Sequence, residues 1–313
     1  MKTFLKIALG CLIVPIVLGI VLVIVGLAMR QAGAPQHRDE TANLDQPLPG
    51  VTAGQLASEG LQTGDAMPAG AAVPVEMRLE EGNFAILPAS AGSSIRVEGD
   101  YDAGAYELKQ EMRKDSSGNP SYFLSFRSRY SMFRRLMTEG GVHVDKDDNK
   151  ITIFLPRGIP LALNVQISKG ASSLRLGGLA LRSAKLDLSM GEHAVLVDEP
   201  NPLEMDRLEM RFAMGESRVE NVGNFRAGDI EIWGKMGEVN IDLGQKIERD
   251  TKLVTRMRFG EMQLRVPHDA RVKGRTSVFL GGTKGKLSND EGTGFLLDVD
   301  SSASFGEVKY HRD

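Results

Sequence analysis

Five glutamates follow a glycine in closely similar surroundings: Met190-Gly191-Glu192, Met214-Gly215-Glu216, Met236-Gly237-Glu238, Phe259-Gly260-Glu261 and Phe305-Gly306-Glu307. Carboxylates that recur at one position of a repeat have two chemical uses. Stacked about 4.8 Å apart they form a like-charge ladder, which either splays into water or gathers a cation such as calcium. Set against a matching acid or base they could share proton transfer. No His or Asp recurs at a matching position, and the five histidines of the chain supply no Ser-His-Asp grouping, phosphate loop or metal-ligand spacing. The expectation is solvated corner carboxylates, with no catalytic residue, no metal and no cofactor.

Two further groups could meet a partner. Four places before the glycines stand Asp187, Arg211, Trp233 and Arg256. That column puts the only tryptophan outside, between two guanidinium groups, where stacking contributes about 0.5–1 kcal/mol if exposed. In FRSRYSMFRRLM, Arg127, Arg129, Arg134 and Arg135 interleave with aromatics. They read as one charged face of a hairpin, or as a docking surface for anionic lipid or an acidic partner. These four arginines and Trp233 are the candidate interaction surface.

The elements that would hold these residues are short strands in a repeat. Aligned on one glycine, VQISKGASSLRL, LDLSMGEHAVLV, MRFAMGESRVEN, IWGKMGEVNIDL, RMRFGEMQLRV, SVFLGGTKGKL and SASFGEVKY superpose. Gly170, Gly191, Gly215, Gly237, Gly260, Gly281 and Gly306 follow one another at 21, 24, 22, 23, 21 and 25 residues. Apolar residues precede the glycine at minus three and minus one and resume at plus two and plus four. A straight strand would bury one set and expose the other. A corner at the glycine lets both arms point inward, and glycine accepts the positive φ such a bend needs. Stacked copies then share one interior. The fold expected is all-β: a β-solenoid with coils of about 22 residues, occupying 73–313, with these seven glycines as structural corners.

Upstream, MRLEEGNFAILPAS repeats the pattern around Gly82. YELKQEMRK and SYFLSFRSRY, joined by the turn-rich DSSGNP, and then ITIFLP after DKDDNK, read as a hairpin insertion around 100–150 near one end of the stack. An open edge there must be covered against self-association.

Residues 1–30 read as one transmembrane α-helix. IALGCLIVPIVLGIVLVIVGLAM carries no charge from Ile7 to Met29, long enough to cross a bilayer and longer than the usual apolar part of a cleaved signal. Lys2, Lys6 and the terminal amine before it, against Arg30 and Arg38 after it, favour a cytoplasmic N-terminus. Residues 31–72, rich in Ala, Gly, Pro, Gln, Asp and Thr, read as a disordered linker with a reach of roughly 30–40 Å. The net charge of -3 does not point to nucleic acid. The only cysteine, Cys11, lies in the apolar run, so the remainder holds no disulfide.

The β-rich opening, ITIFLPRGIPLALNVQISKG and the strand-Gly-Glu-strand units that follow resemble the toast-rack or adhesin-like β-helix families, including the C-terminal domain of LiaF-like envelope proteins. The resemblance covers about 75–310. It implies a bacterial, non-catalytic, envelope-associated domain, and LiaF-like members are implied to sense envelope stress through a membrane signalling partner. One apolar helix stands where LiaF-like proteins carry several. The combined expectation is a single-pass protein of the bacterial inner (cytoplasmic) membrane whose periplasmic or extracytoplasmic domain mediates protein interaction or envelope-stress sensing. A self-assembling envelope scaffold and a carbohydrate-active β-helix enzyme are the alternatives.

Overall fold

The computed structural model describes residues 72–91, 93–114, 120–129, 149–287 and 292–312. The expected membrane helix at 1–30, and all of the expected linker except Ala72, lie outside these residues. Among the described residues no helix is long and apolar enough to cross a membrane. They build an all-β protein: β1 (Val73–Glu81), β2 (Asn83–Ala91), β3 (Arg96–Asp100), β4 (Tyr106–Lys114), β5 (Pro120–Ser128), β6 (Lys150–Arg157), β7 (Leu161–Lys169), β8 (Ser172–Arg175), β9 (Leu181–Leu196), β10 (Met205–Glu220), β11 (Ala227–Asp242), β12 (Thr251–Val266), β13 (Arg271–Lys284) and β14 (Leu296–Arg312). A 3-10 turn, Val222–Phe225, interrupts the connection between β10 and β11.

The long strands pair in parallel and in register, glycine on glycine. Gly191 faces Gly215, Gly215 faces Gly237, Gly237 faces Gly260, and Gly260 faces Gly306. β1 and β2 are the two arms of one further level broken at Gly82, and β7 and β8 are the arms of another broken at Gly170. β5 pairs with β1 while β6 pairs with β2, so strands from both sides of the 130–148 segment form one more level. Antiparallel β4 on β5 and β3 on β6 cover that end. There Phe126 stacks on Tyr106 at 5.1 Å and meets Tyr101 and Phe84 edge-on.

At the opposite end the levels leave chain order: β14 lies between β12 and β13, so Gly306 precedes Gly281 in the stack. This corrects the sequential order implied by the repeat. Charge supplies the reason. Asp298 faces Lys252 on one side and Lys273 on the other, and Asp300 faces Arg275 while binding Arg256 at 2.9 Å. Sequential pairing of β12 with β13 would bring their basic residues together, and like charges directly opposite are destabilising.

Corner glycines are required twice over. Their φ values run from 118 at Gly170 and Gly237 to 154 at Gly82, a region that side chains rarely tolerate. A Cβ on Gly215 would also lie 2.0 Å from the carbonyl oxygen of Gly191, and one on Gly306 would lie 1.7 Å from that of Gly260. Successive backbones thus touch along the corner.

The bend also changes which residues point inward. Leu186 and Leu188 are buried before the corner, and His193, Val195 and Val197 after it. Met190, expected inside, is instead 46% exposed. The change of parity is spread over Met190-Gly191-Glu192, all three outside the core, so inward positions on either side of the corner are five residues apart. Inside, each column packs on its equivalents above and below. Burial stabilises each such Leu, Ile or Val by roughly 1.5–3 kcal/mol relative to exposure.

Candidate functional site

All five corner glutamates form one column. Glu192, Glu216, Glu238, Glu261 and Glu307 are cross-strand neighbours in that order, because β14 slots directly against β12. Sequential stacking would have joined only four. Residues two places further on neutralise part of the column. Glu238 accepts from Asn240 Nδ2 at 2.8 Å and Gln263 Nε2 at 3.3 Å; Glu261 accepts from Gln263 at 2.6 Å and Lys309 Nζ at 2.5 Å. Lys284 binds Glu307 at 2.9 Å, and this hydrogen bond is the main reason its carboxyl is held below the usual glutamate range. Glu192 and Glu216 have no hydrogen-bond or ion-pair partner among the described residues.

Glu238, Glu261 and Glu307 line an open groove of about 690 Å³ along the glycine backbone. General acid work needs a carboxyl raised toward neutral pH. Glu307 moves the opposite way. Among the described residues no three His, Cys, Asp or Glu side chains converge as a metal set.

On the other side of the glycines runs a feature that sequence reasoning missed. Met190, Met214, Met236, Phe259, Phe305 and Leu280, each just before its glycine, form a continuous outward ridge. Phe305 stacks on Phe259 at 5.0 Å, and Phe279, 77% exposed, meets it edge-on. Alternation gave no signal for it, because the residue before each glycine is apolar whether it faces inward or outward.

Trp233 is half exposed and in register between Arg211 and Arg256. Neither guanidinium lies over the indole, which corrects the expected stack. Arg211 is drawn to Glu209 and Arg256 to Asp300, since a carboxylate at contact distance outcompetes a ring face. In the hairpin, Arg127 binds Glu107 at 2.8 Å, and Arg129 donates from Nε to the Tyr106 carbonyl. Both guanidinium groups are thus engaged with β4 or its start. Arg134 and Arg135 lie outside the described residues.

A second missed group is internal. Ser172 and His193 occupy the plus-two column and are both buried, with Ser172 Oγ 2.9 Å from His193 Nδ1. His193 Nε2 has no partner. Burial pulls the imidazole down to about 4, so it is neutral at physiological pH. Spacing resembles a nucleophile and its base, but Ser172 and His193 are buried in the core, and no carboxylate among the described residues orients the ring.

Together these features define an all-β stack of glycine-cornered levels that displays ordered columns of side chains. Residues 213–295, which include the corners at Gly215, Gly237, Gly260 and Gly281, match the family model for the cell wall-active antibiotics response LiaF C-terminal domain. The resemblance to LiaF-like C-terminal domains holds over that segment. No curated protein matches the chain significantly. Among solved structures, the chain is similar to a candidate cell adhesion protein from Clostridium sporogenes at 14% identity, with TM-score 0.38 over 79% of this chain and 96% of that one. It is also similar to a candidate adhesin from Bacteroides fragilis at 12% identity, with TM-score 0.34 over 77% and 92%.

Proposed function

We propose that the chain is a membrane-anchored, non-catalytic β-solenoid that presents an interaction or stress-sensing surface on the outer side of a bacterial cytoplasmic membrane. The observation that carries this reading is the LiaF-like match over four corners consecutive in sequence. An uncharged apolar run at Ile7–Met29 supports the anchor. Columns rather than pockets support the surface role, since a parallel stack repeats one side-chain position along its whole length.

The test has two arms on the full chain. In sealed vesicles of known orientation, the domain should be open to protease only from the extracytoplasmic side, and the chain should survive a carbonate wash. Release by the wash would remove the anchor. Crosslinking in intact membranes should then capture a discrete membrane protein, and a chain that yields no discrete adduct would overturn the interaction role.

A further inference from the structure

Seven of the nine large hydrophobic side chains exposed among the described residues lie on or beside the outward ridge. Met190, Met214, Met236, Phe259, Phe305 and Leu280 follow one another on six adjacent levels, a line about 24 Å long at strand spacing. With Phe279 beside them they expose roughly 600 Å² of apolar surface, taking about 150–200 Å² for each fully exposed side chain. That equals the largest patch expected on an ordinary monomer, about 300–600 Å². It approaches the roughly 800 Å² per partner of a stable interface.

All six strands run the same way, so the two flanks of the ridge differ chemically. Upstream lie Lys235 and Arg258, both exposed and without an ion pair among the described residues; Arg258 only leans over Phe259 at 5.5 Å. Downstream runs the glutamate column, in which Glu192 and Glu216 are unpartnered.

We propose that the ridge is the interface of a homodimer in which two copies lie with parallel stacks, related by a two-fold axis along the stacking direction. That operator sets the upstream flank of one copy against the downstream flank of the other at the same level. Lys235 then faces the second copy's Glu238, which is held only by amide donors, with the unpartnered Glu216 one level away, and Arg258 faces the Glu261 level, whose carboxylate also binds Lys309. Met236 meets its own counterpart across the axis, as an isologous contact requires. The alternative two-fold, across the stack, would set the two glutamate columns against each other and leave the cations facing each other. Like charges in opposition disfavour that arrangement.

Disulfide trapping on the full chain tests this. Cys11→Ala removes the native thiol, and single cysteines are placed by Met190→Cys, Met214→Cys and Phe305→Cys, with Ser302→Cys as a control off the ridge. Under mild oxidation, each ridge variant should form a same-residue dimer several-fold above the control. Mixed trapping of Met214→Cys with Phe305→Cys, without self-trapping, would show the opposed arrangement and overturn the proposal. Trapping no greater than the control, or protection of the ridge by lipid alone, would overturn it too. Lys235→Glu with Arg258→Glu should weaken the dimer at least tenfold while the strand circular-dichroism signal is kept; unchanged dimerisation would refute the flank pairing.

Discussion

Replacing Gly237 by alanine should destabilise the stack far more than the same methyl addition at a glycine with open space around it. The backbone at Gly237 has φ 118, and a new Cβ would lie 2.0 Å from the Gly215 carbonyl oxygen. Holding a non-glycine residue at positive φ costs about 1–2 kcal/mol. Relieving the clash requires β10 and β11 to part by more than 1 Å at the corner, which forfeits on the order of two backbone hydrogen bonds at about 0.5–1.5 kcal/mol each. The sum, roughly 2–5 kcal/mol, is a large share of the 5–15 kcal/mol typical of a folded domain. Gly282→Ala is the control: its Cβ would meet only Glu307 Oε1, at 4.0 Å, and should shift stability by less than about 1 kcal/mol. Urea unfolding followed by Trp233 emission reads both midpoints. Equal midpoints for the two variants would refute the argument that backbones touch along the corner.

Stability should also fall with acidity through His193. Its folded pKa, pulled down by burial to about 4 from 6.5, means that the unfolded chain takes up the proton first as pH drops. The contribution is complete above about pH 6.5 and lost toward pH 4, by about 3 kcal/mol at 1.36 kcal/mol per unit; His193→Asn should flatten the unfolding free energy measured across that window. Asn201→Ala should cost about 2–3 kcal/mol in the same urea assay. The buried side chain accepts from the Leu181 and Leu203 amides and donates to the Leu181 and Phe225 carbonyls, and these groups would lose their partner. Asp298→Lys, placed between Lys252 and Lys273, should lower the melting temperature by a few degrees, more at low salt than at high salt. Millimolar calcium should leave the melting temperature unchanged, because Lys309, Lys284, Asn240 and Gln263 already occupy the lower glutamates; a saturable rise would restore the cation column.

Much of this architecture was legible in the chain because it repeats. A glycine returning every 21 to 25 residues, with apolar residues at fixed offsets, implies one bend per level and an all-β interior. The glutamate column followed from the same alignment, as did the outward place of Trp233. The N-terminal levels were less legible, since β5 and β6 make one level from strands that no repeat connects.

Three things were decided only by folding. Which way Met190 and its equivalents face depends on how many residues the backbone spends in turning, a matter of torsion that alternation along a line cannot report. Whether Arg211 and Arg256 stack on Trp233 depends on Glu209 and Asp300, brought beside them by neighbouring levels. The order of the last two levels depends on a charge match among three strands, with acidic β14 between basic β12 and β13. Periodicity along the chain determined the unit and its corner. The neighbours of each unit, and hence the apolar ridge and its unlike flanks, were set across strands, where residues distant in sequence meet.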